Sequence, residues 1–427
     1  MRSHNIARIS HLIQTYCIFG SYGVLLSVFL SWTIAPMLNR RQFITLGVGS
    51  FAGIHSLAGA SGIHTRNGKD PMIPLVHITD LYHPPQDPDD HIDLATVVAL
   101  PEYDLRGVIL DVSQQFLDAA PQGFDVSRDP GYVPVLQLSH IIGRAIPVAV
   151  GPRAPLSGPD DDARDRPRSE QSGIRLLLDI LEDSPEPVVL SLVGSMRIVT
   201  AAFNRAPELL RNRIRSILLN AGSTGGIKRE WNVGLDAAAY IGLWKSGLPV
   251  HWYPCATEKS AFDPDNERGT YWKTLHAALF GSLSPAMRSW FFYALSGANR
   301  GDVIRAMTQD VEGEPWEKLV RQSRNLWSTA SLVMATGRVL ARTSEGWRFM
   351  AAADTGRAEV WPWRLDPIEA TVNEDAGVQW KLAGGESRTF LFGRQRGPHF
   401  ADAMAEALGA LLGTLGRDIE RTELQKP

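Results

Sequence analysis

Between residues 74 and 255, short apolar runs of strand length alternate with longer runs of helical spacing, and this alternation leaves few architectures open. "PLVHITD" (74–80), "LRGVILDV" (105–112), "IPVAVG" (146–151), "EPVVLSLVG" (186–194), "IRSILLNAG" (214–222) and "LPVHWYPC" (248–255) read as strands. They are nearly continuous in apolar residues, so both faces of each strand must be covered. "HIDLATVVAL" (91–100), "VPVLQLSHIIG" (133–143), "GIRLLLDILED" (173–183), "RIVTAAFNRAPELLRNR" (197–213) and "LDAAAYIGLWKSG" (235–247) have helical spacing and supply the covers. The pattern predicts an α/β fold, an open and mostly parallel sheet with helices on both faces. Ligands of such sheets bind outside the carboxyl ends of the strands. Here that edge collects residues 80–90, 111–114, 194–197 and 220–232.

The rest of the chain is less regular. "SGPDDDARDRPRSEQSG" (157–173) is polar and breaker-rich and reads as a disordered loop or an active-site flap. Beyond residue 256 the spacing predicts a helix over 270–297, within a helical insertion spanning about 256–325, and another over 325–337. "RFMAAA" and "EVWPWRL" predict a terminal hairpin, and residues 399–415 a closing helix. Residues 61–427 are thus expected to form a single α/β domain.

Residues 1–60 read as an address. Arg40 and Arg41, then Phe43, a mildly apolar run and "AGA" at 58–60 resemble a twin-arginine export signal cleaved after Ala60. This implies the twin-arginine export machinery as a partner and a periplasmic or extracellular protein. Residues 12–37 are apolar enough to span a bilayer, so either translation starts at Met37 or a membrane segment anchors the chain. Cys17 and Cys255 are the only cysteines, which excludes a disulfide framework and a CxxC zinc site. A net charge of −3 gives no basic field for nucleic acid. A homo-oligomer is compatible with this composition.

The chemistry concentrates in "ITDLYHPPQDPDDHIDLATVVAL" (78–100), where Asp87, Asp89 and Asp90 fall within four positions and Asp80 ends the preceding apolar run. Carboxylates this close repel. A hard cation such as calcium, which takes six to eight oxygens, offsets that repulsion and acidifies a bound water. The plainer reading is a solvated acidic turn in which Asp89 or Asp90 caps the helix.

These segments together resemble the inosine-uridine-preferring nucleoside hydrolases. The resemblance rests on a strand ending in Asp80, the pair Asp89 and Asp90 opening a helix, and "ALPEYDLRGVI" after it. It continues through "IPVAVGPRAPL" (146–156), residues 188–223 and "EWNVGLDAAAYIGLWKSGLPV" (230–250). It implies a Rossmann-like core and a calcium-dependent enzyme that cleaves the N-glycosidic bond of a nucleoside or related glycoside. On that resemblance Asp80 is the general base and a Ca2+ ligand, Asp90 a bidentate ligand, and Asp89 a ribose ligand that also touches the ion. The main-chain carbonyl of Arg197 falls where the family donates a backbone oxygen to the ion. Gln114, Asn220, Glu230 and Asn232 fall where the family binds substrate. Asn220 as a satisfied strand-end amide and Glu230 as a surface acid are the structural alternatives.

Two departures stand out. The turn "LYHPPQDP" is longer than the family's Pro-Gly version and adds His83 and Asp87. Where the family carries a His-Asp pair, this chain has Trp327 and Ser328. Tryptophan gives up no proton but stacks on planar rings. Trp327 is therefore expected either against the leaving group or in a helix core. A calcium-dependent hydrolase of a nucleoside or related glycoside is the expected function, and a non-catalytic exported binder of sugars or nucleosides is the alternative.

Overall fold

The computed structural model describes residues 65–66, 70–117, 128–225, 230–296, 303, 305–309 and 311–416. The expected signal (39–62) and apolar segment (12–37) lie outside them. The predicted strands form at β1 (Ile73–Thr79), β2 (Tyr103–Leu110), β3 (Val148–Val150), β4 (Val188–Val193), β5 (Ile214–Asn220) and β6 (Val250–Trp252). Between them lie α1 (Asp89–Ala99), α2 (Tyr132–Ile141), α3 (Ser172–Asp183), α4 (Arg197–Arg205), α5 (Pro207–Arg213), α6 (Trp231–Leu235) and α7 (Ala237–Lys245). The single helix expected over 197–213 is split in two, because Pro207 starts a new helix.

All six strands pair in parallel in the order β3-β2-β1-β4-β5-β6. Leu75 of β1 packs into one apolar core and its neighbours Val76 and Ile78 into the other, so side-chain alternation feeds both faces of the sheet. The chain builds outward from β1 to β3, then crosses back to place β4 on the other side of β1. Neighbouring connections therefore leave in opposite directions at β1 and β4, which opens a crevice at their carboxyl ends.

The C-terminal third departs from expectation. β7 (Trp272–Leu275) pairs antiparallel with β8 (Ser323–Leu326), so residues 270–297 begin as a strand before α8 (His276–Phe280) and α9 (Pro285–Leu295). Residues 325–337 likewise start in β8 and become helical only at α10 (Thr329–Met334). Instead of one terminal hairpin, β9 (Arg338–Thr343) pairs with both β10 (Gly346–Ala351) and Glu359–Val360. β11 (Trp363–Val372), β12 (Val378–Leu382) and β13 (Thr389–Arg394) extend the main sheet, with β13 parallel to β6. The closing helix forms as α11 (Phe400–Leu412).

Residues 157–173 are ordered. Asp161 accepts hydrogen bonds from the backbone nitrogens of Ser157 (2.8 Å) and Ala163 (2.7 Å). Arg205 of α4 donates to the Asp162 carbonyl at 2.7 Å and to Gln171 Oε1 at 2.7 Å. Polar bonds supply here the cohesion that apolar burial supplies elsewhere.

His77 sits fully buried in β1 with Nδ1 3.2 Å from Ser191 Oγ, and burial holds its pKa down at about 3. The unfolded chain protonates it near pH ~6.5. Because the folded pKa is the lower, its contribution is present above about pH 6.5 and is lost as pH falls towards the folded value. A His77→Asn variant should therefore lose a slope of about 1.4 kcal/mol per pH unit between pH ~6 and ~4. Urea unfolding of both proteins at several pH values measures this, and parallel pH curves would refute it.

Candidate active site

The crevice holds an open cleft of about 480 Å³. Asp80 enters it directly after β1, and Asp89 and Asp90 enter from the first turn of α1. The first turn of a helix favours carboxylates through its dipole. Neither acid caps the helix with its side chain, so the plainer expectation for them does not hold. Asp90 Oδ1 instead accepts a hydrogen bond from Thr79 Oγ1 at 2.5 Å.

The loop after β4 makes room for this approach. Gly194 has φ +116°, and a Cβ there would lie 2.8 Å from Asp111 Oδ2 and 3.1 Å from Asp80 Oδ1. Only glycine fits both the backbone and the space. Asp111, at the end of β2, fixes that loop by accepting from Ser195 N at 2.5 Å and Ser195 Oγ at 2.9 Å.

Electrostatics in the cleft are one-sided. Burial first, then Asp111, Asp87 and Glu230, raise the Asp80 carboxyl well above the usual carboxylate range. Burial and the neighbouring Asp87 and Asp90 do the same to Asp89, and burial and Asp80 to Asp90. Asp93, one turn further along α1, is pushed by burial to about 7, with Ser328 partly offsetting the shift. Among the described residues no three His, Cys, Asp or Glu side chains converge as a ready-made metal cage. The donor set of Asp80, Asp89 and Asp90 nevertheless fits a hard cation in kind: oxygen donors, mutually repelling and buried.

Arg197 does not line the cleft. Its side chain is fully buried beneath it, paired with Asp236 at 3.0 Å, and donates to the carbonyls of Val112 (3.0 Å) and Pro152 (2.9 Å). Gln114 is also outside the lining, exposed at the start of a short helix and accepting from Arg153 at 3.2 Å.

The remaining expected residues divide between scaffold and surface. Asn220 ends β5 buried and outside the cleft lining, and its Nδ2 lies within 3.3 Å of the Leu192 and Leu218 carbonyls. Glu230 lines the cleft but is no surface acid. It is buried, and its carboxylate accepts from Gly222 N (2.8 Å) and Asn232 N (3.1 Å), capping α6. Asn232 lines the cleft and donates to the Asn220 carbonyl at 2.9 Å.

Trp327 lines the cleft too, just before α10 and outside any helix core. Its indole Nε1 donates to Ala261 O at 3.0 Å, and its ring meets Phe262 (5.6 Å between centroids) and Tyr271 (5.3 Å). Phe262 and Trp231 complete the aromatic lining and are 57% and 55% exposed, a large unpaid apolar surface for a folded chain. Phe262 sits in an aperiodic loop, where no sequence pattern marks it. Trp231 was legible only as the middle of "EWN".

Comparison with known proteins gives related sequences. The chain is 29% identical over 183 residues to a pyrimidine-specific ribonucleoside hydrolase, RihA, of Enterobacter sp. (strain 638), covering 38% of this chain and 55% of that protein. It is 26% identical over 229 residues to a non-specific ribonucleoside hydrolase, RihC, of Escherichia fergusonii, covering 47% and 71%. The chain thus spans about half the length of the first of these relatives. No family model matches it. Among solved structures, a purine-preferring ribonucleoside hydrolase from Gardnerella vaginalis superposes with a TM-score of 0.46 at 15% identity, covering 80% of this chain and 99% of that one.

Proposed function

We propose that this chain, a divergent relative of the ribonucleoside hydrolases, cleaves the N-glycosidic bond of a nucleoside or related glycoside in the cleft between β1 and β4. The observation that carries this reading is the meeting in one cleft of a buried carboxylate, Asp80, with the polar pair Glu230 and Asn232. Asp80 takes the proton from the attacking water. Asp89, Glu230 and Asn232 hold sugar hydroxyls, and the surrounding carboxylates stabilise the positive charge that grows on the sugar ring. Asp80, Asp89 and Asp90 would hold a calcium ion, which when bound offsets their repulsion and lowers the pKa of a bound water.

Release of free sugar from a panel of nucleosides tests the activity. A panel that stays intact with calcium present would refute it and favour a pure binder. One observation supports that second reading: the Glu230 carboxylate already accepts two backbone bonds within 3.1 Å and is partly committed to structure. The cation has its own test. Asp90→Ala removes a charged donor and should abolish calcium binding measured by calorimetry, while an unchanged affinity would place the ion elsewhere.

Export is part of the same proposal and is supported by Arg40, Arg41 and "AGA" at 58–60. N-terminal sequencing of exported protein should begin at Ser61, and material still starting at Met37 would refute cleavage there.

A further inference from the structure

We propose that the cleft is built for a glycoside whose leaving group is a cationic nitrogen heterocycle of the N-ribosylpyridinium class. This rests on the hydrolase reading above and names its substrate class. Three features of the cleft point the same way.

The first is charge. Asp80, Asp87, Asp89, Asp90 and Glu230 line the cleft, and no lysine, arginine or histidine does so among the described residues. The neighbouring Arg324 is turned to Asp87 at 3.9 Å and to His276 Nε2 at 3.1 Å. A divalent cation held there would keep its ligand carboxylates ionised and offset the charge of only two of these five acids.

The second is the aromatic surface. Trp231, Phe262 and Trp327 line the same space. Ring faces beside carboxylates attract a flat cation more strongly than a neutral ring.

The third is the supply of protons. A neutral nucleobase leaves as an anion unless an acid protonates it, and an anion forming among carboxylates that a bound cation keeps ionised is opposed by each of them. The indole N–H of Trp327 is committed to Ala261 O, and the Tyr271 hydroxyl to Asn325 Oδ1 at 2.9 Å. Burial, aided by Glu230, pushes the Cys255 thiol well above its ordinary value.

A pyridinium leaving group needs no proton. The water oxygen bonds to the anomeric carbon, and the carbon–nitrogen bond breaks with its electron pair going to the ring nitrogen. That pair cancels the ring's charge, and the water's proton passes to Asp80 and then to solvent. The products are the free sugar, a neutral pyridine and one proton. Positive charge moves from the ring to the sugar and stays beside the carboxylates throughout.

The test compares nicotinamide riboside with inosine and uridine on the full chain with calcium, and by calorimetry compares binding of N-methylnicotinamide with that of neutral nicotinamide. We expect kcat/KM at least tenfold higher for the pyridinium riboside and tighter binding of the methylated cation. Trp327→Leu and Phe262→Ala should each weaken the cation about three- to thirtyfold. Inosine or uridine cleaved as fast or faster would overturn the cationic preference and leave the hydrolase reading intact. If nothing in the panel is cleaved, the hydrolase reading falls. This inference falls with it as a statement about substrate, and the calorimetric arm decides the cleft's preference alone: equal binding of the two nicotinamides overturns it and a tenfold preference for the cation upholds it.

Discussion

Asp80→Asn should lower kcat by about 10²–10⁴-fold, the usual loss for one positioned general base. The amide has the shape of the carboxylate and cannot take a proton from water. The fold should survive, because the substitution removes a buried charge that Asp111, Asp87 and Glu230 all oppose. Melting temperature without calcium should therefore hold or rise, while turnover falls by that factor. Substrate binding should fall much less than rate, since Glu230 and Asn232 approach the sugar from another element, α6 and its cap. Single-turnover kinetics and equilibrium binding on one preparation separate the two effects. A variant within threefold of the parent in kcat would remove Asp80 as the base.

That prediction draws on a residue legible before any coordinates, and the reason is physical. Strands buried on both faces must be apolar throughout, so a carboxylate ending such a run is conspicuous. β1 and β4 were readable for that reason, and with them the edge where Asp80, Gly194 and Ser195 meet. Asp89 and Asp90 were readable because acids open a helix favourably.

Features that depend on distant partners were not readable. β7 exists because residues 323–326 pair with it from about fifty positions away, and "TYWKTLHAALFG" on its own has helical spacing. Residues 157–173 have the composition of disorder, but Arg205 and Asn204 reach across from α4 to bind their carbonyls. Phe262 carries no pattern at all, because a single exposed aromatic in a loop has meaning only once a cleft lies beneath it.

Arg197 is the clearest such case, and it yields the largest expected effect on stability. The sequence offered only its main-chain carbonyl for a role, by resemblance. Its side chain turns out to tie the strand ends together from below. It bridges Val112 after β2, Pro152 after β3 and Asp236 at the start of α7. Asp236 in turn accepts from Leu156 N at 2.8 Å and caps α7 through Ala239 N at 2.9 Å. Both partners are essentially sealed from water, at 0% and 1% side-chain exposure. Arg197→Met keeps most of the volume but strands the Asp236 charge and leaves the Val112 and Pro152 carbonyls without their donor. Breaking a buried pair in this way costs about 3–5 kcal/mol. Urea unfolding at neutral pH should register that loss. Adding Asp236→Asn should recover part of it, because the stranded charge is then gone while the cap on α7 can persist. A loss below about 1 kcal/mol, the range of an exposed pair, would mean that the clasp is not what holds the strand ends under the cleft.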